Sequence, residues 1–412
     1  MTESLDPKSR LFQALGKPLG IIIDSLLQIG EELDLSIYVV GGAVRDVLMS
    51  RGIKDLDISV EYNGASVVAE LVSRLDAKVI DSSPFGTFKL EIDGLFLDIV
   101  SARRETYEKP GALPSVSPGT ILEDLQRRDF TINAIAIRLT PDPIILFDPI
   151  GGITDIDGKL IRVLHEASFQ DDATRMLRAV RYEQRLNFTL DVSTEGLLTS
   201  SYDYLNTVSG DRLRNEVELI FEEEKATEIL LRASKLGLLQ SCYKGISSFS
   251  SLESRFSSLE DLSWDRDHSF YYALLAYDMN DDEVSDFASR FNIPNSESEL
   301  ARQAVRIQNL SSSWNSQTLP SEVYNSMRGF MVRAVELVEK TTINEQGYAL
   351  LNYYLFYSQH IKPELSASDL IVMGFQEGPL LGKAHRQLTD AVVDGVITTK
   401  QEQISFIMGL LG

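Results

Sequence analysis

The sequence predicts an α+β protein, with a small mixed sheet near the N-terminus and helical segments after it. Alternating apolar or clustered β-branched residues, the pattern of strands, occur mainly within residues 37–140. Apolar residues recur at helical spacing from about Asp171 onward. The chain has 412 residues, more than one hydrophobic core usually holds, and this length favours two to four domains.

The individual elements follow in chain order. Apolar spacing predicts a helix within residues 1–35, and a second helix is expected from Ala43 to about Ser50. Near the C-terminus, Pro379 and Gly395 flank a further predicted helix, with proline in its first turn and glycine just past its end. The strand candidates are 37–40, 55–60, 86–92, 95–101 and 130–139.

Composition limits the classes of function. The formal net charge is −22, so a nucleic acid would have to be bound by local basic strips rather than by a general positive field. The apolar runs are too short to span a bilayer, and we expect no signal peptide. Cys242 is the single cysteine, which excludes an internal disulfide and a cysteine-rich zinc site. We therefore expect a cytoplasmic protein without membrane association.

Two acidic residues on one predicted strand are the first candidate site. Asp55 and Asp57 stand at i and i+2, so their carboxylates point to the same face. Carboxylate oxygens suit Mg²⁺, and paired Mg²⁺ ions can align a hydroxyl with a triphosphate. Asp98, on another predicted strand, is the candidate third carboxylate. Taken alone, the two aspartates are more typical of a solvated strand face than of a metal site.

A pair of glycines precedes these acids. Gly41 and Gly42 lead into the predicted helix, and glycines let backbone N–H groups approach phosphate oxygens closely. Arg45 offers a bidentate contact to phosphate. The alternative is a tight turn in which Arg45 and Asp46 form a surface pair.

The segment RRDFTINAIAI at 127–137 is the third candidate. Arg128 and Asp129 are expected to contact the triphosphate and the ribose hydroxyls respectively, and Asn133 to orient them. The alternative is a charged strand start that Asp129 caps.

Residues 171–188 form a predicted amphipathic helix with one arginine-rich face. Asp172 and Arg175 lie near its first turn, where a carboxylate that accepts and a guanidinium that donates can read cytosine or adenine. The alternative is an ordinary helix with acids at its N-terminus. The face consists of Arg175, Arg178, Arg181 and Arg185.

Between Arg103 and Asp124 lies a segment with three prolines and two glycines, which we interpret as a functional or mobile loop. The sequence lacks GxxxxGK[ST], GxGxxG and GxSxG, which argues against P-loop, dinucleotide-binding and nucleophile-elbow sites.

In their order along the chain, these motifs resemble those of the bacterial-type (class II) CCA-adding enzyme and poly(A) polymerase family, within the polymerase-beta-like nucleotidyltransferase superfamily. The resemblance covers roughly residues 35–240, and 365–395 look like the family's tail segment. One departure is Asp171–Asp172, where the family usually has Glu-Asp.

The resemblance implies a head domain that carries the metal site, followed by helical neck, body and tail, here 1–145, 146–240, 241–360 and 361–412. It also implies that Arg212 and Glu216 brace the base-reading helix, and that 103–124 is the loop tied to the switch from cytosine to adenine addition.

The activity implied is template-independent addition of C and A to the 3′ end of tRNA from CTP and ATP, by two-metal nucleotidyl transfer with Mg²⁺. The expected partners are tRNA, through its 3′ end and elbow, and the two nucleotides; no protein partner is expected. The alternatives within the family are an A-adding or CC-adding partial enzyme and a poly(A) polymerase. Outside it they are an inactive RNA-binding protein and a nucleotidyltransferase that modifies antibiotics or proteins.

Overall fold

A computed structural model describes residues 7–53, 56–83, 86–106, 115–259 and 267–411. It divides into two compact units, Met1–Cys242 and Tyr243–Gly412. An α+β fold with its sheet near the N-terminus, as the sequence predicts, is confirmed.

Within the described residues, seven strands of the first unit form a mixed sheet in the order β3-β4-β5-β2-β1-β8-β9. Strands β2 and β5 are parallel, and the other neighbours are antiparallel. The strands are β1 (Ile37–Val40), β2 (Leu56–Val60), β3 (Lys78–Ser82), β4 (Thr87–Ile92), β5 (Leu95–Ser101), β6 (Arg103–Thr106), β7 (Ser115–Pro118), β8 (Ala136–Thr140), β9 (Ile145–Phe147), β10 (Leu160–Ile161) and β11 (Thr189–Leu190).

Helices cover the sheet and then dominate the chain. Helices α1 and α3 pack against each other and against strands β8 and β5 respectively, while α7, α9 and α10 pack together. The helices of this unit are α1 (Pro7–Leu33), α2 (Gly42–Leu48), α3 (Gly64–Leu75), α4 (Ile121–Gln126), α5 (Gly152–Gly158), α6 (Ser168–Asp171), α7 (Arg175–Leu186), α8 (Val192–Ser200), α9 (Gly210–Phe221), α10 (Ala226–Lys235) and α11 (Leu238–Cys242).

The predicted strand 130–139 is wrong in its first half. Thr131–Asn133 form a 3₁₀ turn, and the strand begins only at Ala136. The Asp129 carboxylate accepts hydrogen bonds from the backbone N–H of Phe130 and the side chain of Asn133. These bonds stabilise a turn at the position where the sequence predicts that the strand begins. Local side-chain bonds of this kind compete with strand pairing.

The predicted loop 103–124 is also more ordered than expected at its two ends. Strands β6 and β7 pair antiparallel, with Arg103 opposite Pro118. Helix α4 begins at a capping box in which the Thr120 and Glu123 side chains each bond to the other residue's backbone N–H. Residues 107–114 lie outside the described part of the chain.

In the described residues of the second unit, helices joined by turns and irregular segments make up the fold. Helices α13, α14, α15, α17 and α18 form its packed centre, and α19, α20 and α21 share a smaller apolar cluster. Pro379 begins α20, and Gly395, with φ +71°, follows its end, so that helix prediction is confirmed. The helices are α12 (Phe249–Ser258), α13 (His268–Leu275), α14 (Asp281–Arg290), α15 (Asn295–Ser312), α16 (Pro320–Met327), α17 (Val332–Thr341), α18 (Glu345–Phe356), α19 (Ala367–Val372), α20 (Pro379–Val393) and α21 (Lys400–Leu411). None of the helices described here has the length and apolar character needed to cross a membrane.

Candidate functional site

The glycine pair after β1 lies against two charged groups. Gly41 has φ +71°, and a Cβ built on it would lie 2.6 Å from Nη1 of Arg128 and 3.3 Å from Oδ2 of Asp57. Gly42 begins α2, and its corresponding Cβ position is 3.4 Å from Nη2 of Arg45. Glycine at 41 therefore allows both the backbone conformation and the close approach of a guanidinium and a carboxylate.

Two of the predicted carboxylates come together through strand register. Parallel strands β2 and β5 align Asp57 with Asp98. Register partners on adjacent strands stand about 4.8 Å apart and point to the same face. Both are half-buried, whereas Ile58 and Ile99 on the opposite face are fully buried. Asp55 lies outside the described residues.

Asp124, which we did not single out from the sequence, holds two arginines of the site. Its fully buried carboxylate accepts from Nη2 of Arg127 at 2.6 Å and from Nη2 of Arg128 at 3.1 Å. Burial alone would raise its pKa, but the charges of Arg128 and Arg127 outweigh burial and hold the pKa of Asp124 below its usual value. The i,i+3 and i,i+4 spacing to the two arginines was the available sequence signal.

Asp129 is the centre of a second network. Its Oδ2 accepts from Nη2 and Nε of Arg178 at 2.6 and 3.0 Å, and its Oδ1 accepts from the Phe130 N–H at 2.8 Å and from Nδ2 of Asn133 at 3.0 Å. Nη1 of Arg45 donates to Oδ1 of Asn133 at 2.7 Å. These four bonds use all the acceptor positions of the Asp129 carboxylate. Burial tends to raise the pKa of Asp129, but the charge of Arg178 lowers it below its usual value overall.

The predicted base-reading pair lies at the start of α7, but Asp172 is not part of that helix. Asp172 is extended, with φ −144°, between α6 and α7, which corrects the predicted start of the helix at 171. Its Oδ1 lies 2.8 Å from Nη2 of Arg212 and accepts from the backbone and hydroxyl of Thr174. Arg175 donates to the Arg127 carbonyl at 2.8 Å and to the Ser168 hydroxyl at 3.0 Å.

The arginine-rich face of α7 is not a free cationic surface. Arg178 and Arg181 lie 3.4 and 3.6 Å from the two carboxylate oxygens of Glu216 on α9, and Arg181 also lies 3.3 Å from Glu223. The acids that pair with this face come from other elements of the fold, so the sequence of α7 alone does not reveal them. These ion pairs fix the guanidinium positions beside the cleft.

A cleft of about 480 Å³ runs between these groups. Its lining is almost entirely charged, with both signs represented, and includes Glu105 from the stem of the β6–β7 hairpin. Such a lining suits a polar ligand that carries phosphate and a hydrogen-bonding base. The lining residues are Glu105, Arg127, Arg128, Asp129, Asp172, Thr174, Arg175, Arg178, Asp211, Arg212, Asn215 and Glu216.

Comparison with protein families gives two matches. A family described as "Poly A polymerase head domain" matches residues 37–162. A family described as "Probable RNA and SrmB- binding site of polymerase A" matches residues 187–249. The matched segments include Gly41, Asp57, Asp98 and Asp129 in the first and Arg212 in the second.

Several curated proteins are similar over nearly the whole chain. An A-adding tRNA nucleotidyltransferase from Geobacter sulfurreducens is 28% identical over 96% of this chain, and the chain spans 47% of its length, about half. An A-adding tRNA nucleotidyltransferase from Halalkalibacterium halodurans is 29% identical, covering 93% of this chain and 91% of that protein. A CCA-adding enzyme from a Geobacillus species is 29% identical, covering 94% and 95%.

Solved structures extend the similarity to the fold. An apo CCA-adding enzyme aligns with a TM-score of 0.80 at 27% identity, covering 98% of this chain and 99% of that one. The Thermotoga maritima CCA-adding enzyme complexed with tRNA aligns with a TM-score of 0.75 at 27% identity, covering 99% of both. A CCA-adding enzyme complexed with CTP aligns with a TM-score of 0.77 at 26% identity, again covering 99% of both.

Proposed function

We infer that the chain belongs to the bacterial-type (class II) CCA-adding enzyme and poly(A) polymerase family. On this basis we propose that it adds C and A nucleotides to the 3′ end of tRNA. The donors are CTP and ATP, and no nucleic-acid template is needed. The compartment proposed for this activity is the cytoplasm.

The observation that carries the proposal is the alignment of Asp57 with Asp98 beside the Gly41 turn, where Arg128 also lies. Nucleotidyl transfer requires little covalent chemistry from the protein; it requires the hydroxyl and the triphosphate to be aligned and their charge neutralised. This cluster offers carboxylates for a metal and a guanidinium for a phosphate within one small volume.

Enzymes of this family use a divalent metal, and the donor set fits one. Half-buried carboxylates on adjacent strands offer the hard oxygen ligands that Mg²⁺ prefers. We propose Mg²⁺, held by Asp55 and Asp57 with Asp98 as the third carboxylate. When bound, it would activate the terminal hydroxyl of the tRNA and screen the charge of the pyrophosphate that leaves.

The chain's own groups then position the nucleotide. Arg45 and Arg128 are proposed to donate to the triphosphate, next to the backbone of Gly41 and Gly42. A ribose hydroxyl that bonds to Asp129 would replace one of the two hydrogen bonds from Arg178, since every acceptor position of that carboxylate is in use.

Base choice is assigned to Asp172 and Arg175. The contacts of Asp172 with Arg212 and Thr174 all use Oδ1, so Oδ2 is proposed to accept the amino group of cytosine or adenine. Arg175 has five N–H donors, more than its contacts with Ser168 and Arg127 use, and is proposed to donate to the adjacent ring nitrogen. Uracil and guanine present the opposite pattern at these positions.

A second candidate function is A addition alone, which the names of the Geobacter and Halalkalibacterium relatives favour. The test uses three tRNA transcripts, ending before CCA, after C and after CC, each offered one labelled nucleoside triphosphate. The proposed activity adds CMP to the first two transcripts and AMP to the third. An A-adding enzyme labels only the third transcript, and a CC-adding enzyme adds no AMP.

Two further outcomes would fit neither C and A addition nor the A-adding and CC-adding alternatives. Long AMP runs on all three transcripts would indicate a poly(A) polymerase. If no transcript is labelled by any nucleotide in the presence of Mg²⁺, the proposal is overturned.

A further inference from the structure

The ring of Tyr182 on α7 is surrounded by guanidinium groups. The Cζ atoms of Arg181, Arg45 and Arg178 lie 5.3, 5.4 and 5.7 Å from its centroid. The Phe130 ring meets it edge to face, with 5.8 Å between centroids and an interplanar angle of 79°. Guanidinium groups at such distances are attracted by the negative potential of an aromatic face.

Two of these arginines are also joined by another route. Arg45 donates to Asn133, Asn133 donates to Asp129, and Asp129 accepts from Arg178. The Tyr182 ring completes a closed circuit between Arg178 and Arg45. The circuit ties the glycine turn, the 3₁₀ turn at Thr131–Asn133 and helix α7 into one assembly.

We propose that Tyr182 is a positioning residue for nucleotide addition, which couples the phosphate-binding Arg45 to the base-reading helix through its π face. The proposal rests on the function proposed above. It assigns Tyr182 no contact with the nucleotide; the residue acts through Arg45 and Arg178.

The physical reason is the charge balance of the circuit. Arg45 and Arg178 repel each other. Each has a carboxylate of its own, since Oδ1 of Asp46 lies 2.9 Å from Nη2 of Arg45 and Oδ2 of Asp129 lies 2.6 Å from Nη2 of Arg178. Apart from the ring, the two arginines are joined, in the described part of the chain, only through the neutral amide of Asn133. Without an attractive ring between them, Arg45 would have less to hold it beside Gly42. The contact of Arg45 with the phosphate should then weaken, and helix α7 should at the same time be held less firmly in its orientation.

The test replaces Tyr182 by phenylalanine and by phenylalanines that carry one, two and three ring fluorines, incorporated into the full-length chain. Fluorination weakens the negative face of the ring at nearly constant shape. We expect Tyr182→Phe to keep the KM for CTP within about twofold, and each added fluorine to raise that KM stepwise, with kcat changed by less than about twofold. Tyr182→Leu, which removes the ring from between Arg45 and Arg178, should raise KM by about 5- to 30-fold and increase misincorporation of UMP.

The matched control is Tyr324→Leu, which removes a tyrosine 6.0 Å from Arg328 in the second unit and should leave the KM for CTP unchanged. A flat fluorination series, with equal KM in all ring variants, would mean that Tyr182 only fills space and would overturn the inference. The series tests the inference even if Tyr182→Leu does not fold, because its members keep the ring. Absence of CMP and AMP transfer by the wild-type chain would instead reject the proposed function itself.

Discussion

Nη2 of Arg212 on α9 lies 2.8 Å from Oδ1 of Asp172, three residues before α7 begins at Arg175. The pair joins the proposed base-reading carboxylate to a neighbouring helix. Arg212→Ala should therefore leave the Asp172 carboxylate held only by its hydrogen bonds from Thr174. The preference for CTP and ATP over UTP and GTP should fall by about tenfold, the effect of losing one charge-assisted hydrogen bond. Single-nucleotide incorporation with each of the four triphosphates measures this preference.

The control for that variant is Arg214→Ala on the same helix, whose ion pairs are with Asp211 and Glu218. It should keep the selectivity of the wild-type chain. If both variants retain full selectivity, Arg212 does not orient the base-reading carboxylate.

Gly41 and Gly94 provide a matched pair of glycines, both with positive φ. Gly41→Ala places a Cβ 2.6 Å from Nη1 of Arg128, whereas a Cβ on Gly94 meets nothing within 4 Å. Both variants should lose about 1 kcal/mol of stability from backbone strain. Only Gly41→Ala should also lose transfer activity, by at least about 100-fold, because Arg128 must move. Equal activity in the two variants would contradict the crowding argument.

Asp57→Asn should reduce nucleotide incorporation by at least about 1,000-fold, because an amide cannot replace a carboxylate as a hard anionic ligand. The thermal midpoint should change little, since Asp57 is on the half-buried face of the sheet. Asp81→Asn, on the exposed edge strand β3, is the control and should be fully active. Asp55→Ala is expected to behave as Asp57→Asn does; sustained activity in either variant would refute the metal assignment.

Replacement of residues 107–114 by a two-residue Asn-Gly turn keeps the paired strands β6 and β7. If this segment governs the switch from cytosine to adenine, AMP addition to a transcript ending in CC should fall more than CMP addition to a transcript lacking CCA. The ratio of the two initial rates measures the effect. An equal loss of both rates would remove the switching role.

The lowered pKa of Asp124 predicts that the stability of the fold decreases at acidic pH. Because its pKa is lowered in the folded state, the carboxylate stabilises the fold above its unfolded pKa, near 3.9, and this contribution disappears as the pH falls through the lower folded value. Asp124→Asn should cost about 3 kcal/mol at pH 7, where Arg127 and Arg128 lose their buried partner. Denaturant unfolding from pH 7 to 2 measures the free energy of unfolding of the variant and of the wild-type chain, and the difference between the two should become smaller below about pH 4. A difference that stays constant over this range would contradict the stabilising role of the Asp124 carboxylate.

The sheet could be predicted well where strand patterns are local. Strand predictions 37–40 and 95–101 match β1 and β5, because alternation and β-branching directly reflect which face is buried. The turn at Thr131–Asn133 could not be found in this way, since it depends on hydrogen bonds of the Asp129 side chain that compete with the strand.

The site was less accessible to prediction than the fold. The register of Asp57 with Asp98 needs the order of strands in the sheet, which no local pattern contains. The acids that pair with Arg178 and Arg181 are Asp129, Glu216 on α9 and Glu223 two residues past its end. The sequence of α7 alone therefore shows a cationic face without these partners. Arg178 and Arg181, two neighbours of Tyr182, are on α7 itself, but the third, Arg45, comes from α2, so the link of Tyr182 to the glycine turn becomes visible only in three dimensions.

The alignment of Asp57 with Asp98 also limits which length changes the chain can accept. A single residue inserted into β5 before Asp98 would turn that carboxylate onto the apolar side of the sheet, because side chains alternate. The Asp93–Gly94 hairpin between β4 and β5 lies outside the paired region and has open space around Gly94. Natural insertions and engineered labels should therefore be tolerated at this hairpin and rejected a few residues later, in the strand itself.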